Sequence, residues 1–199
     1  FASHDVAGIL YNAMVLDRGG LPYVDTFEFK APGSFYLASA LAGPEARDIA
    51  RFQIAANLWA LASLIVIAAL AWKLWGRLAS VVATGLLALH DAVLDSMDAN
   101  YVTWANLPQV LAFGLAIAAR RMVRSRFGPT LWLLAGAAAG AATLCKQPNG
   151  VILPVVGLMA LGPELAPTGS WREAWRERVR ALEWTRLAWV VAGFGLVHV

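Results

Sequence analysis

The sequence predicts an all-α fold, a polytopic transmembrane helical bundle with an extramembrane first loop carrying two short interfacial helices. Three observations predict it. Hydrophobic residues make up 59% of the 199 and charged residues 15%, against roughly 45–50% and about 25% in soluble domains. Residues 54–72 carry no charge at all, which matches the ~20 apolar positions that cross a ~30 Å hydrocarbon layer as a helix. Further apolar runs follow over residues 78–94, 107–119, 131–145, 149–162 and 187–199. A soluble chain of this length holds one modest core, too little to bury all of them.

Residues 1–50 are mixed and form the outer loop. Val6, Ile9, Leu10, Ala13 and Met14 recur at helical spacing after Ser3 and Asp5, both of N-cap type. Gly19 and Gly20 end that helix as C-cap glycines. Pro22, Pro32 and Gly33 break continuity, and residues 34–42 form a second short amphipathic helix. The tyrosines and phenylalanines here suit the interfacial aromatic belt.

Residues 51–199 hold the spans. The second run follows the first after the short turn KLWGR. The fourth and fifth runs flank CKQPNG and are short, so they borrow flanking residues or partly re-enter. Gly136 and Gly140 give small-xxx-small spacing, which in lipid means close helix packing. The last run holds only thirteen residues, and the expectation is a piece of a longer polytopic protein. Arg172, Arg176, Arg178, Arg180 and Arg186 interleave with Trp171, Trp175, Trp184 and Trp189. That pattern predicts an amphipathic interfacial segment over 170–186.

Loop charges orient the bundle. Assigned to alternate sides, Lys73, Arg77, Arg120, Arg121, Arg124, Arg126 and the five arginines of 172–186 fall together. Arg18, Lys30, Arg47, Arg51 and Lys146 fall opposite. The side richer in Lys and Arg faces the cytoplasm, so residues 1–50 are expected outside, periplasmic at a bacterial inner membrane. No basic stripe interleaves with aromatics as a nucleic-acid face requires, so nucleic acid is not an expected partner. One cysteine, Cys145, precludes an internal disulfide and reads as a small buried hydrophobe.

The acids of the outer side are the chemical candidates. Asp5 begins the first helix, while Asp25, Glu28 and Lys30 lie in the loop after it. Asp91, Asp95 and Asp98 sit between the second and third spans. Asp91 and Asp95 share a face if helical, whereas His90 points roughly 100° away. Carboxylates near a bilayer pay desolvation, so they are paired, functional or simply solvated in the loop. The Asp91–Asp95–Asp98 oxygens are hard donors suited to a divalent cation, though no established ligand spacing is present and no metal ligand is assigned. There is no G-x-S-x-G, P-loop or CxxC. Lys146 ends a helix, where it snorkels or meets a phosphate.

The stretch DRGGLPYVDTFEFKAPGSFYL, with Asp5 ahead of it, resembles the first outer loop of GT-C type membrane glycosyltransferases. The likeness is to the branch of the dolichyl-phosphate-mannose protein mannosyltransferases and the lipid A aminoarabinose transferase. Asp5 stands where that family has its first acid, and Gly20, Pro22, Tyr23, Asp25, Lys30, Pro32 and Gly33 match the remainder. TLCKQPNG resembles the family's fifth-helix region. The resemblance implies a polyprenyl-phosphate sugar as donor, with Asp5 as general base on an acceptor hydroxyl. Lys30 or Lys146 would stabilise the leaving lipid phosphate, and Tyr23, Asp25 and Asp98 would line the substrate site. Two positions depart from the family: Val6 replaces its second acid, and Thr103 stands where the second outer loop carries a carboxylate. The expected partners are a lipid-linked sugar donor and membrane lipids. The alternative, motivated by those departures, is a noncatalytic accessory or scaffold subunit bound to other membrane subunits.

Overall fold

The computed structural model describes residues 4–28, 30–44, 47–93, 98–122, 126–162 and 183–198, with only the backbone at Asp91 and Val93. Among these residues the fold is all helical, without strands. In chain order the helices are α1 His4–Asp17, α2 Gly33–Leu41, α3 Ile49–Trp75, α4 Arg77–Val93, α5 Tyr101–Arg121, α6 Gly128–Cys145, α7 Ile152–Leu161 and α8 Trp184–His198; a 3-10 turn, Gln147–Val151, precedes α7. The expected amphipathic segment over 170–186 falls almost wholly outside the described residues.

Three helices, α3, α5 and α6, are long and apolar enough to cross a membrane, which fits a membrane protein. Their surfaces agree with that. Ile54, Leu58, Leu61, Ile65 and Trp72 of α3 are exposed, as are Leu78, Val81, Leu86 and Leu89 of α4. Apolar faces this extensive are a liability in water but are ordinary contact with lipid.

The chain divides into two compact units. One comprises residues 1–110 and 141–149, the other residues 111–140 and 150–199.

In the first unit, local chemistry sets each helix end. Gly19 adopts φ 79°. The Gly20 N–H donates to the Val15 carbonyl at 2.9 Å and the Gly19 N–H to Leu16 at 2.9 Å. This is a Schellman cap, and only glycine takes its left-handed residue without steric cost. α3 begins earlier than its apolar run because Asp48 caps it, its carboxylate accepting from the Arg51 N–H at 2.8 Å. α5 likewise extends back to Tyr101, because the Asn100 side chain accepts from Val102 N–H at 2.9 Å and Thr103 N–H at 3.2 Å.

The α3–α4 turn consists of Gly76 alone, at φ 90°. The Ser80 hydroxyl closes the hairpin by donating to the Ala68 carbonyl at 2.9 Å.

Pro108 lies inside α5 and has no N–H to give to the Trp104 carbonyl one turn back. The Trp59 indole of α3 donates to that carbonyl instead, at 3.2 Å, so the proline's lost bond becomes a tie between two helices. A freed carbonyl in hydrocarbon must find such a donor. Phe52 stacks on Trp104 at 5.2 Å between centroids, and both are fully buried with Phe35, Ile9 and Val6 in one core.

The second unit packs differently. Ala112, Ala116, Ala119, Ala135, Ala139 and Ala160 are buried together with Trp132, Ile152, Val156 and Val190. A Cβ on Gly136 would collide with the Val190 carbonyl, and one on Gly193 with the Leu133 carbonyl. α6 and α8 therefore meet backbone to backbone, the close packing expected of the glycine spacing in α6. α6 gains length from Gly128, Pro129 and Thr130, whereas α7 remains a ten-residue helix.

Candidate functional site

A cavity of about 240 Å³ opens in the first unit. Asp5, Lys30, Ala31, Tyr101, Val102, Cys145, Lys146, Gln147 and Pro148 line it. Its charged groups come from three separate pieces of chain: the first turn of α1, the loop before α2 and the end of α6.

Asp5 lies in the first turn of α1, where the helix N-terminus favours a carboxylate. The Lys30 ammonium pairs with it directly. The same ammonium sits over the Tyr101 ring, 4.6 Å from its centroid, a cation–π contact. Tyr101 is 4% exposed, and its hydroxyl is buried without a hydrogen-bond partner among the described residues. Lys146 continues from α6, its N–H bonded to the Ala142 carbonyl at 3.0 Å. Its turn is held to α5 by the Asn149 amide donating to Gln109 at 3.0 Å.

The loop carrying Lys30 is braced at several points. Tyr23 adopts φ 71°, a conformation that bulky residues rarely take. Its N–H donates to the Thr26 hydroxyl at 3.3 Å, and its own hydroxyl donates to the Lys30 carbonyl at 2.5 Å. The Thr26 hydroxyl in turn donates to the buried Asn12 side chain at 2.7 Å. Burial pushes the Tyr23 hydroxyl above its ordinary pKa, and the Glu28 carboxylate and Tyr36 add to the effect. Glu28 also accepts from the Lys30 N–H at 3.2 Å. Strain of this kind persists only where the surroundings hold it; here they fix the point from which Lys30 reaches Asp5.

Gly33, at the start of α2, is a close junction between two of these pieces. A Cβ there would lie 2.6 Å from the Leu144 carbonyl oxygen and 3.1 Å from the Cys145 nitrogen. The backbone that follows Lys30 therefore lies against the backbone that precedes Lys146.

Of the residues singled out in the sequence, the cavity gathers Asp5, Lys30 and Lys146. Tyr23 and Asp25 do not line it. Asp25 accepts from the Leu21 N–H at 2.7 Å and so shapes the loop, as Tyr23 does. Asp98 does not line it either. Its carboxylate accepts from the Ala99 N–H at 3.0 Å, and its carbonyl accepts from the Thr103 hydroxyl at 2.6 Å. Asp95 and the side chain of Asp91 lie outside the described residues; among those described, no group of three or more His, Cys, Asp or Glu is placed to hold a metal. Tyr101 and Gln147 were not legible as site residues. Tyr101 follows a capping asparagine at a span's edge, where it looks like one more interfacial aromatic. Cys145 is buried, as expected of a small apolar group.

Comparison with protein-family models, with curated proteins and with solved structures returns no match.

Proposed function

We propose that this chain is part of a membrane glycosyltransferase that moves a sugar from a polyprenyl-phosphate donor to an acceptor hydroxyl on the outer face of the membrane. One observation carries the reading. The two segments that resemble the GT-C family, 5–37 and 143–150, are far apart in sequence, yet Asp5, Lys30 and Lys146 from them line one cavity. A carboxylate and two ammonium groups are what such a transfer requires. Asp5 takes the proton of the attacking hydroxyl, and the ammonium groups meet the lipid phosphate as it leaves. In the resting site Asp5 is paired with Lys30. A donor phosphate competes for that ammonium and so frees the carboxylate to act as base. The skew of Lys and Arg among the loops supports an outer, periplasmic position for residues 1–50 at a bacterial inner membrane.

The test is Asp5→Asn in the protein reconstituted with a polyprenyl-phosphate sugar. Transfer should fall by roughly 10²–10⁴-fold, the usual contribution of a general base. Undiminished transfer would remove the main residue of the reading.

A second reading, a noncatalytic accessory subunit, has its own observation. Val6 is buried in the apolar core, and the Thr103 hydroxyl is already donated to Asp98, so neither position supplies a second acid. A protein that transfers nothing with any prenyl donor, yet copurifies with other membrane subunits in fixed ratio, would favour it.

A further inference from the structure

We propose that Tyr101 is a ligand-binding residue of the cavity, its hydroxyl donating a hydrogen bond to a phosphate oxygen of the bound donor. The inference rests on the donor class proposed above and adds a residue that neither the motifs nor the charges pointed to.

Buried tyrosine hydroxyls ordinarily find a partner. That of Tyr101 has none among the described residues, although the residue is only 4% exposed. Its ring is fixed from two sides, by Lys30 at 4.6 Å and edge-on by Phe35 at 6.2 Å, so the hydroxyl is held in place before any ligand arrives. Lys146 lines the same cavity, and its ammonium has no partner among the described residues either. An ammonium only donates, and a tyrosine hydroxyl donates readily. The ligand that satisfies both is rich in acceptor oxygens and negatively charged, as a phosphate is. The two ammonium groups of the lining, Lys30 and Lys146, outnumber its one carboxylate, Asp5, so the cavity carries an unbalanced positive charge. Ala31, Val102, Cys145 and Pro148 add apolar surface to the lining, beside the Gln147 side chain. That surface suits a phosphate carried on a hydrocarbon chain better than a free phosphate ion.

The experiment measures equilibrium binding to the full chain in nanodiscs, with undecaprenyl phosphate, undecaprenol and inorganic phosphate as probes. Wild-type protein should bind undecaprenyl phosphate and not undecaprenol. Tyr101→Phe, which keeps the ring and its contact with Lys30, should weaken that binding by about tenfold, the worth of one hydrogen bond to a charged group. Its melting temperature should not fall, since the hydroxyl satisfies no other group. Unchanged affinity in Tyr101→Phe overturns the inference; if Lys146→Met still abolishes binding, the proposed donor class survives it. A lower melting temperature at unchanged affinity marks the hydroxyl as structural and likewise overturns the inference. Binding of inorganic phosphate as tightly as the lipid, with the same loss in Tyr101→Phe, supports the contact but overturns the lipid source. Failure of the wild type to bind any phosphate overturns both proposals.

Discussion

Phe35, Phe52 and Trp104 are the largest side chains fully buried in the first unit, and they lie among Ile9, Val6 and Tyr101. Both clusters bury six alanines, so the contrast lies elsewhere: in the second unit Trp132 is the large ring of the cluster, and Gly136 and Gly193 come onto neighbouring backbone. The difference is in how the space between helices is filled. In the first unit rings fill it, and the stacking of Phe52 on Trp104 adds to the contact. In the second, α6 and α8 meet at glycines, which permit close van der Waals contact between backbones. The first unit also spends polar groups on its own architecture, in the Asn12–Thr26–Tyr23 chain and the Trp59–Trp104 tie. The cavity with its charges lies in that unit.

Substitutions can break this contrast. The largest effect is expected from Gly193→Leu. Its Cβ would run into the Leu133 carbonyl, and backbone has no rotamer with which to give way. The loss should exceed ~4 kcal/mol, seen as aggregation or early melting in detergent, while Gly195→Leu, with open space at its Cβ, should be mild. Phe52→Ala comes next. It removes a fully buried ring stacked on Trp104 and should cost ~3–5 kcal/mol in the same melts. A cost near zero would mean that the first unit does not depend on its aromatic core.

The smallest effect sharpens the account of the loop. The Tyr23 hydroxyl has its pKa raised in the folded chain, so its contribution is fully present below the ordinary tyrosine value of 10.0. That contribution is lost as pH climbs through the raised value, when the hydroxyl can no longer donate to the Lys30 carbonyl. Melting temperature should therefore decline above pH 10 along with the appearance of tyrosinate absorbance. Tyr23→Phe should be less stable at neutral pH and lack that part of the decline.

How much was legible follows the same division. Apolar runs announced α3 to α6 because a span needs only length and the absence of charge. Their starts were missed at Ile49 and Tyr101, since the caps that set them, Asp48 and Asn100, are polar and read as loop. The C-terminal end of α1 was legible, because Gly19 and Gly20 have one common use there; its start was not, since α1 begins at His4 and holds Asp5 within its first turn rather than as a cap. Asp5, Lys30 and Lys146 stood out as charges in an apolar chain. Tyr101 did not, because its interest lies in a hydroxyl left without a partner, and that depends on neighbours from distant parts of the sequence. Asp25 and Asp98 looked chemical and turned out to accept from nearby backbone N–H groups, a use that sequence spacing does not separate from ligand binding.

At Gly33 the loop holding one lysine rests against the helix end holding the other, with no side chain between them. The gap across which Lys30 and Lys146 could share one anion is thus gauged by a missing methyl group. Related chains would be free to exchange Ala31, Val102 or Pro148 for other apolar residues and admit differently shaped tails. An alanine at 33 would press on the Leu144 and Cys145 backbone and, on the proposed reading, alter the grip on every anion alike.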